Sequence, residues 1–294
     1  MDTILQISVN GLLTGMLYSL VGASIVLVYK ATRVVSMAHG QLLALGALSF
    51  WVFVAVMEIP PLGSFLLTMV VAGSMGFLVE RVTIRPLIGQ PLFTAFLVTF
   101  ALFIFLDGAF QLYVRGRTLT YPPFLPEGAI PLGPLAITKS QVISFFIGFL
   151  LFLILAVIFK YTKIGLGMRA TAQDHRLAQN AGVRVRKIFS FIWILSAMVA
   201  SIAGIAWAIV MDIHYGLAST VIKGLIVALF GGLESLGGAL LAGILLGLFE
   251  TMSAGYLDPV LGGGVKDMAA YVLLLFILLV RPYGLFGMRR IERI

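Results

Sequence analysis

Cysteine is absent from the 294 residues, and histidine occurs only three times. Without cysteine the chain can form no disulfide, no thiolate metal site and no cysteine nucleophile. His39, His175 and His214 stand in separate segments, unlike the clustered ligands of a zinc site. No serine has the spacing of a nucleophile motif beside them. We therefore expect neither a catalytic residue nor a metal site.

Charged side chains are also scarce, at 11% of the residues, whereas 61% are hydrophobic. Soluble domains carry about 25% charged residues. Such a chain cannot cover a water-facing surface, and its mean hydropathy of +1.10 agrees. The composition predicts a polytopic membrane protein. The net charge of +8 then belongs to loops on the cytoplasmic side of a membrane, so we expect no nucleic-acid partner.

Long apolar stretches fill most of the sequence. Each is uniformly apolar and longer than a strand, so helices are expected in lipid. The stretches are residues 4–29, 34–57, 62–79, 92–113, 142–159, 188–211, 221–251 and 268–280. We predict one all-α transmembrane domain over residues 1–294, with an external loop at about 114–139.

The distribution of basic residues predicts the direction of these helices. Residues 160–187 contain seven Lys and Arg residues, which places this loop in the cytoplasm. Counting from this loop puts the N-terminus outside, and the arginines near the C-terminus put that end inside. This requires an odd number of crossings, although there are eight apolar stretches. One stretch must therefore fail to cross.

The stretch at 221–251 is the best candidate, because four glycines, a serine and Glu234 interrupt it between Gly231 and Gly238. Such backbone is tolerated in a membrane only where protein or a cavity surrounds it. We predict a re-entrant half-helix at 221–230, a break, and a returning helix at 236–251, giving about seven crossings. One long helix with a flexible middle is the alternative.

Small residues at four-residue spacing let helix backbones approach closely in membranes. The helix at 188–211 carries such a row, formed by Ser196, Ala200, Gly204 and Ala208. Similar rows occur at Gly11 and Gly15, and at Ala239, Gly243 and Gly247. The pattern predicts close helix packing, either within the chain or between subunits.

No energy source is visible in the sequence. Gly is never followed by Lys, so the phosphate-binding loop of ATPases is excluded. Few ionisable residues lie within apolar stretches, and the candidates are Asp107, Glu234 and Glu250. The chain therefore resembles a transport pathway without its own motor. A partner ATPase, a passive channel and an ion-coupled carrier all remain open at this stage.

The cytoplasmic loop contains a predicted helix at 168–181, rich in helix-forming residues, with Gly182 as its C-terminal cap. Ala170, Asp174, Leu177, Ala178 and Ala181 share one narrow face of this helix. Such a face suits a groove on a cytoplasmic partner, or equally the membrane surface.

Residues 169–183, Arg-Ala-Thr-Ala-Gln-Asp-His-Arg-Leu-Ala-Gln-Asn-Ala-Gly-Val, resemble the coupling loop by which ABC-importer permeases dock on their ATPases. Residues 33–40 and 231–247 are similar to the His-Gly and glycine-rich elements of the branched-chain amino acid permeases, and 281–287 is similar to their tail. The shorter of the two permease types of that family is the better match, over nearly the full length.

The resemblance implies a membrane subunit of an ABC importer in the bacterial cytoplasmic (inner) membrane. Its partners would be a second homologous permease, two cytoplasmic ATPases that hold ATP and Mg²⁺, and a periplasmic or extracellular substrate-binding protein. The chain itself would bind no cofactor. The substrates would be branched-chain or related amino acids.

The resemblance also assigns residues to roles. The docking loop would include Gly167, Arg169, Ala170, Asp174, Ala178 and Gly182. Candidates for the translocation pathway are His39, Gly40, Gln41, Gly231, Gly232, Glu234 and Ser235. Ser36, Met37 and Glu234 depart from the residues usual in the family, which leaves a urea or amide importer as an alternative.

Overall fold

The computed structural model describes residues 2–87, 89–126, 128–132, 135–173, 175–281 and 283–287. The described chain is predominantly helical, which confirms the predicted all-α bundle. Its helices are α1 (Asp2–Thr32), α2 (His39–Trp51), α3 (Pro61–Leu78), α4 (Leu92–Val114), α5 (Lys139–Tyr161), α6 (Lys163–Gln173), α7 (His175–Asn180), α8 (Val185–Met211), α9 (Thr220–Gly231), α10 (Leu236–Leu261) and α11 (Val265–Val280). π-helical turns extend α2 to Val56 and α3 to Ile84.

Among the described residues, seven helical segments are long and apolar enough to cross a membrane. They are Ile4–Thr32, His39–Val56, Pro61–Leu87, Leu92–Val114, Lys139–Tyr161, Val185–Met211 and Leu236–Leu261. A shorter apolar helical segment covers Leu217–Gly231.

The bundle has two ends that differ in composition. The basic end consists of the last turn of α1 with Arg33, the helices α6 and α7, the start of α8, and residues 284–287. These parts are joined by hydrogen bonds, such as those from the Leu285 amide to the Phe230 carbonyl (2.8 Å) and from Arg33 to the Ala172 carbonyl (3.0 Å).

The opposite end, called here the hairpin end, holds the connection from α4 to α5. Strands β1 (Ala129–Leu132) and β2 (Leu135–Thr138) form an antiparallel hairpin inside the predicted external loop. The Gln6 side chain bonds both to the carbonyl of Ala136 (3.1 Å) and to its amide (2.9 Å), which ties the hairpin to α1. Leu119 and Ile213 exchange two backbone hydrogen bonds at the same end.

Helix α1 is the centre of the bundle, and it packs closely on α10. A Cβ atom at Gly15 would lie 2.6 Å from the Gly243 carbonyl oxygen, and one at Gly11 would lie 2.9 Å from the Leu248 Cα. Glycine at these positions therefore permits an approach that any larger residue would prevent. This close contact between α1 and α10 is called here the glycine seam. The Ser19 hydroxyl strengthens it by donating a hydrogen bond to the Leu240 carbonyl (2.9 Å).

Two non-helical segments enter the bundle from opposite ends. Residues 33–38 lead from the basic end to the start of α2, although the sequence predicted helix from residue 34. Residues 212–219 lead from the hairpin end to the start of α9, with one 3₁₀ turn at Leu217–Ser219. The two paths meet where Gly40 packs against Ala218 and Val221.

The predicted break between a short and a long helix is present at residues 232–235, between α9 and α10. Its position differs from the prediction, which placed it in the middle of the membrane. The break lies at the basic end, where a Cβ atom on Gly232 would lie 2.5 Å from the Gly287 amide nitrogen and where Glu234 pairs with Arg33. The unwound part inside the bundle is instead 212–219.

Candidate functional site

His39 begins α2 inside the bundle and is completely buried. Its Nε2 atom lies 2.6 Å from Ser196 Oγ on α8, and Ser196 in turn donates to the Ser24 carbonyl on α1 (2.7 Å). The His39 ring, the Ser196 hydroxyl and the Ser24 carbonyl thus form one buried chain of polar contacts that joins α2, α8 and α1. The His39 ring also packs on Trp193, with 5.4 Å between the ring centroids. These contacts fix the point where α2 starts.

Gly40 and Gln41 extend this buried site toward α9 and α4. A side chain at Gly40 would overlap the Ala218 carbonyl, so the two short helices meet through glycine. Gln41 Nε2 donates to Asp107 Oδ1 on α4 (2.7 Å). The sequence drew attention to Asp107 but did not predict this partner.

Four buried polar atoms near the start of α2 lack a hydrogen-bond partner in the part of the chain that the structure describes. They are Ser36 Oγ, His39 Nδ1, Gln41 Oε1 and, on α8, the indole nitrogen of Trp193. Unpaired polar atoms inside a membrane bundle are costly, and they mark places where water or a polar solute is accommodated during function. The start of α2 is therefore a candidate part of the pathway.

The other four predicted pathway residues lie elsewhere, at the basic end. Gly231 ends α9 against Gly238, and Gly232 has a φ of +95°, which favours glycine. Ser235 caps α10, since its Oγ accepts a hydrogen bond from the Gly238 amide (2.9 Å). Glu234 forms an ion pair with Arg33. The structure thus separates the predicted pathway residues into an inner group and a basic-end group.

Arg33 connects three elements at this end. Its guanidinium pairs with Glu234 between α9 and α10, and its Nη2 donates to the Ala172 carbonyl of α6 (3.0 Å). Its own backbone ends α1 in the left-handed region, with a φ of +60°. The bridge joins residues separated by 201 and 139 positions, which is why the sequence did not reveal it.

Helix is present on both sides of residue 174 in the predicted docking segment, as α6 (Lys163–Gln173) and α7 (His175–Asn180). Asp174 lies outside the described residues. Ala178 and Gly167 are buried against the bundle, and Ala170 packs on the same cluster, so these small residues attach the loop to its own chain. Arg169 donates to the Phe159 carbonyl at the end of α5. Of the predicted face, Ala178 is buried and Ala170 is partly buried, whereas Leu177 and Ala181 are exposed, as is Leu166 on α6.

Gly182 ends α7 as the sequence predicted. It adopts a φ of +81°, its amide donates to the Gln179 carbonyl (2.9 Å), and the Val183 amide donates to the Ala178 carbonyl (3.0 Å). This is the left-handed glycine arrangement that commonly terminates helices. Gly182 is exposed, with open space where a Cβ would lie.

The predicted packing row on α8 lies against other helices of the same chain. Gly204 is in contact with the Leu43 backbone of α2, and Ser196 makes the hydrogen bonds to His39 and Ser24 given above. Ala200 and Ala208 are buried in the main core cluster.

A buried ion network escaped the sequence analysis. Lys223 on α9 lies 3.1 Å from Glu250 on α10 and 2.8 Å from Asp267 on α11, and Tyr18 on α1 donates to Glu250 (2.9 Å). Glu250 and Tyr18 are buried. The available signal was Lys223 itself, the one charged residue in the apolar run from 221 to 233. An intramembrane charge of this kind indicates a functional region.

Comparison with known proteins identifies the family. A family model described as the permease component of branched-chain amino acid transport systems matches residues 7–280. The chain belongs to this permease family. It is therefore a multi-pass membrane transport protein, as the resemblance in the sequence implied.

Two relatives match the permease over nearly its full length. The high-affinity branched-chain amino acid transport system permease protein BraD of Pseudomonas aeruginosa is 28% identical, over 99% of this chain and 98% of its own. The corresponding protein LivH of Escherichia coli K12 is 27% identical, over 99% and 97%. A probable branched-chain permease protein LivH of Methanocaldococcus jannaschii is 31% identical over 49% of this chain.

A solved structure supports the fold of the permease. A chain of PsaBC from Streptococcus pneumoniae, determined in complex with a Fab, superposes with a TM-score of 0.51 and covers 93% of this chain and 91% of its own. The sequence identity is 14%, so this similarity concerns the fold alone.

Proposed function

We propose that the chain is the pathway-forming subunit of an ATP-driven importer for branched-chain amino acids. It works with a second homologous permease, two cytoplasmic ATPases and an external substrate-binding protein. The proposal extends to this chain the transport role that the names of BraD and LivH state. It places the complex in the bacterial cytoplasmic (inner) membrane.

The charge difference between the two ends supports an orientation in which the basic end lies in the cytoplasm. Lys and Arg concentrate at the basic end, at Lys30, Arg33, Arg81, Arg85, Lys160, Lys163, Arg169, Arg184, Arg186 and Lys187. Loops rich in Lys and Arg remain in the cytoplasm. The basic end with α6 and α7 then faces the ATPases, and the hairpin end faces the binding protein.

The observation that carries the proposal is the Arg33 bridge. A loop that docks on an ATPase transmits force only if it is connected to the elements that form the pathway. Arg33 provides this connection, because it joins the Ala172 carbonyl of α6 to Glu234, next to the end of α9. From there α9 leads directly to the inner group at Gly40.

The bridge suggests how the energy of ATP reaches the pathway. ATP binding closes the two ATPases, and this movement displaces α6 and α7. Arg33 carries the displacement to the end of α1 and to the turn at 232–235. The short helices α2 and α9 both start inside the bundle and meet where Gly40 packs against Ala218 and Val221, and this contact is where we expect them to separate and reclose as access alternates.

ATP hydrolysis belongs to the partner subunits in this proposal. The chain lacks the Gly-Lys sequence of a phosphate-binding loop, and ATP with Mg²⁺ is held by the ATPases. The chain itself contributes the docking loop, the bridge and the pathway.

Purification of the tagged chain from its native membrane tests the assembly. We expect a second permease and two copies of nucleotide-binding subunits at stoichiometric ratios in mild detergent. Recovery of the chain alone, under conditions that preserve a known ABC transporter, would contradict the proposal and favour a channel or carrier.

A further inference from the structure

A cavity of about 460 Å³ lies beside the buried ion network. Its walls come from α1, α8, α9, α11 and the non-helical segment that precedes α9. Sites for small molecules are about 300–1,000 Å³ in volume. The cavity is therefore large enough for an amino acid.

Charges of both signs line this cavity. Lys223 and Asp267 form an ion pair at 2.8 Å, and Lys266 lies beside Asp267 in the first turn of α11. Asp267 remains 76% exposed in spite of its pair, so its carboxylate can accept further hydrogen bonds. Glu250, beneath Lys223, makes the formal charge of the group zero, with two cations and two anions.

Apolar and aromatic side chains form another part of the lining, namely Trp207, Met211, Leu217, Ile222 and Tyr271. Tyr18, His214, Ser219 and Thr220 add uncharged polar groups to the wall. The cavity therefore combines separated positive and negative charges with an apolar wall. A free amino acid with an aliphatic side chain has the same combination, namely a carboxylate, an ammonium group and an apolar part.

The position of the cavity connects it to the pathway. Gly216, Leu217, Ser219 and Thr220 belong to its wall, and the same segment contains Ala218, which packs against Gly40. A solute in the cavity would touch the segment that leads to the meeting point of α2 and α9.

We propose that this cavity is a binding site for the zwitterionic group of the transported amino acid. Asp267 accepts hydrogen bonds from the ammonium group, Lys266 donates to the carboxylate, and Lys223 holds Asp267 in place. Trp207, Met211 and Tyr271 receive the aliphatic side chain. The inference rests on the proposed function and adds the residues that recognise the substrate.

Competition binding tests the site on the unmodified complex. Radiolabelled leucine is bound to the purified transporter in nanodiscs without its binding protein. Leucinamide, which lacks the carboxylate, and 4-methyl-2-oxopentanoate, which lacks the ammonium group, are the competitors. Each loses one charged interaction, so each should compete roughly tenfold to a hundredfold less well than leucine. Equal competition, or no saturable leucine binding, would overturn the inference.

Variants test which side chain binds the ammonium group of leucine and which binds its carboxylate. Asp267→Asn should weaken leucine binding and remove the discrimination against the oxo acid. Lys266→Gln should remove the discrimination against leucinamide. Glu58→Gln and Lys139→Gln are matched controls, because they change a carboxylate and an amine at the hairpin end away from the cavity; both should bind leucine normally. The assignment would be refuted if leucinamide and the oxo acid competed with leucine in the variants as weakly as they do in the unmodified complex.

Uptake by the complete complex separates this inference from the proposed function. Unimpaired ATP-driven leucine uptake by Asp267→Asn and Lys266→Gln would refute the site while the importer function stands. Absence of ATP-driven amino-acid uptake by the unmodified complex would refute the importer function itself.

Discussion

Arg33 ends the central helix with a left-handed backbone and places its guanidinium between two parts of the chain that are distant in sequence. Both members of the ion pair are partly exposed, with 23% and 20% of their side chains accessible. Exposed pairs contribute little to stability. The value of this pair therefore lies in the connection it makes, and not in the free energy of unfolding.

Reversing the charge of Arg33 should uncouple transport from ATP hydrolysis. Arg33→Glu faces Glu234 with a like charge and removes the donor to the Ala172 carbonyl. Leucine uptake should fall about five- to a hundredfold, the range of typical coupling energies, while ATP hydrolysis persists. Both are measured in proteoliposomes that contain the complete complex.

The double variant Arg33→Glu/Glu234→Arg is the matched test of the pair. It restores the opposite charges but not the bond to Ala172, so uptake should recover in part. Arg117→Glu changes an exposed arginine at the hairpin end and should leave uptake unchanged. Normal uptake by Arg33→Glu would show that the bridge does not transmit force.

Residue-level prediction from sequence succeeded where local chemistry determines the outcome. Gly182 was expected to cap α7, and it does so, because only glycine readily adopts the required φ. The ion-pair partners of charged side chains could not be predicted. Glu234 was noted as an unusual residue without Arg33, and Glu250 without Lys223, since these contacts join residues that only the fold brings together.

The α1–α10 seam shows how much one element depends on the absence of side chains. Gly15→Ala would place a Cβ atom 2.6 Å from the Gly243 carbonyl oxygen and 2.7 Å from the Ile244 Cα. Because the neighbouring atoms are backbone, the helices must move apart, and we expect a destabilisation of about 1–3 kcal/mol.

Gly108 provides the control for this prediction. It also lies within a helix, α4, but a Cβ there would meet nothing within 4 Å. Alanine is the better helix former, so Gly108→Ala should be neutral or stabilising by up to about 1 kcal/mol. Thermal unfolding followed by tryptophan fluorescence compares the two variants. Equal midpoints would contradict the seam as the stabilising contact.

The α6–α7 loop yields a prediction about docking. Gly182→Trp adds a large side chain to the exposed end of α7, and it should prevent the ATPases from copurifying while the chain stays in the membrane. Gly116→Trp is the control, because Gly116 is also an exposed glycine with a positive φ, of +71°, but lies at the hairpin end. Retention of the ATPases by both variants would contradict the docking assignment.

At the level of elements, hydrophobicity predicted the helices and glycine content predicted the break after α9. Neither property predicted that residues 33–38 are non-helical, because the valine, serine, methionine and alanine residues there give no local signal for a helix break. The same holds for the position of the break at the basic end. Both are set by packing, through Ala218 against Gly40 and through residues 284–287 against the end of α9.

The orientation of the whole molecule can be tested directly because the chain contains no cysteine. Arg117→Cys and Lys163→Cys place single thiols at exposed positions of the hairpin end and the basic end. A membrane-impermeant maleimide should label position 117 in intact spheroplasts, and position 163 only after permeabilisation. The reverse pattern would place the basic end outside and contradict the proposed direction of docking.

The bundle as a whole contains two kinds of helix contact. The glycine seam holds the full-length helices α1 and α10 together, whereas the short helices α2 and α9 start inside the bundle and meet where Gly40 packs against Ala218 and Val221. Arg33 connects the docking loop to the turn after α9. The proposed importer, which is driven by separate cytoplasmic ATPases, needs such a connection. Composition could not predict it, because composition indicated only a transport pathway without its own energy source.

Uptake of leucine into proteoliposomes tests the central claim most directly. The complete complex is reconstituted, the binding protein and leucine are added on the side of the hairpin end, and ATP is supplied on the side of the basic end. We predict accumulation against a gradient that depends on ATP and on the binding protein. Equilibration of leucine without ATP, or accumulation driven by a proton gradient alone, would contradict the account.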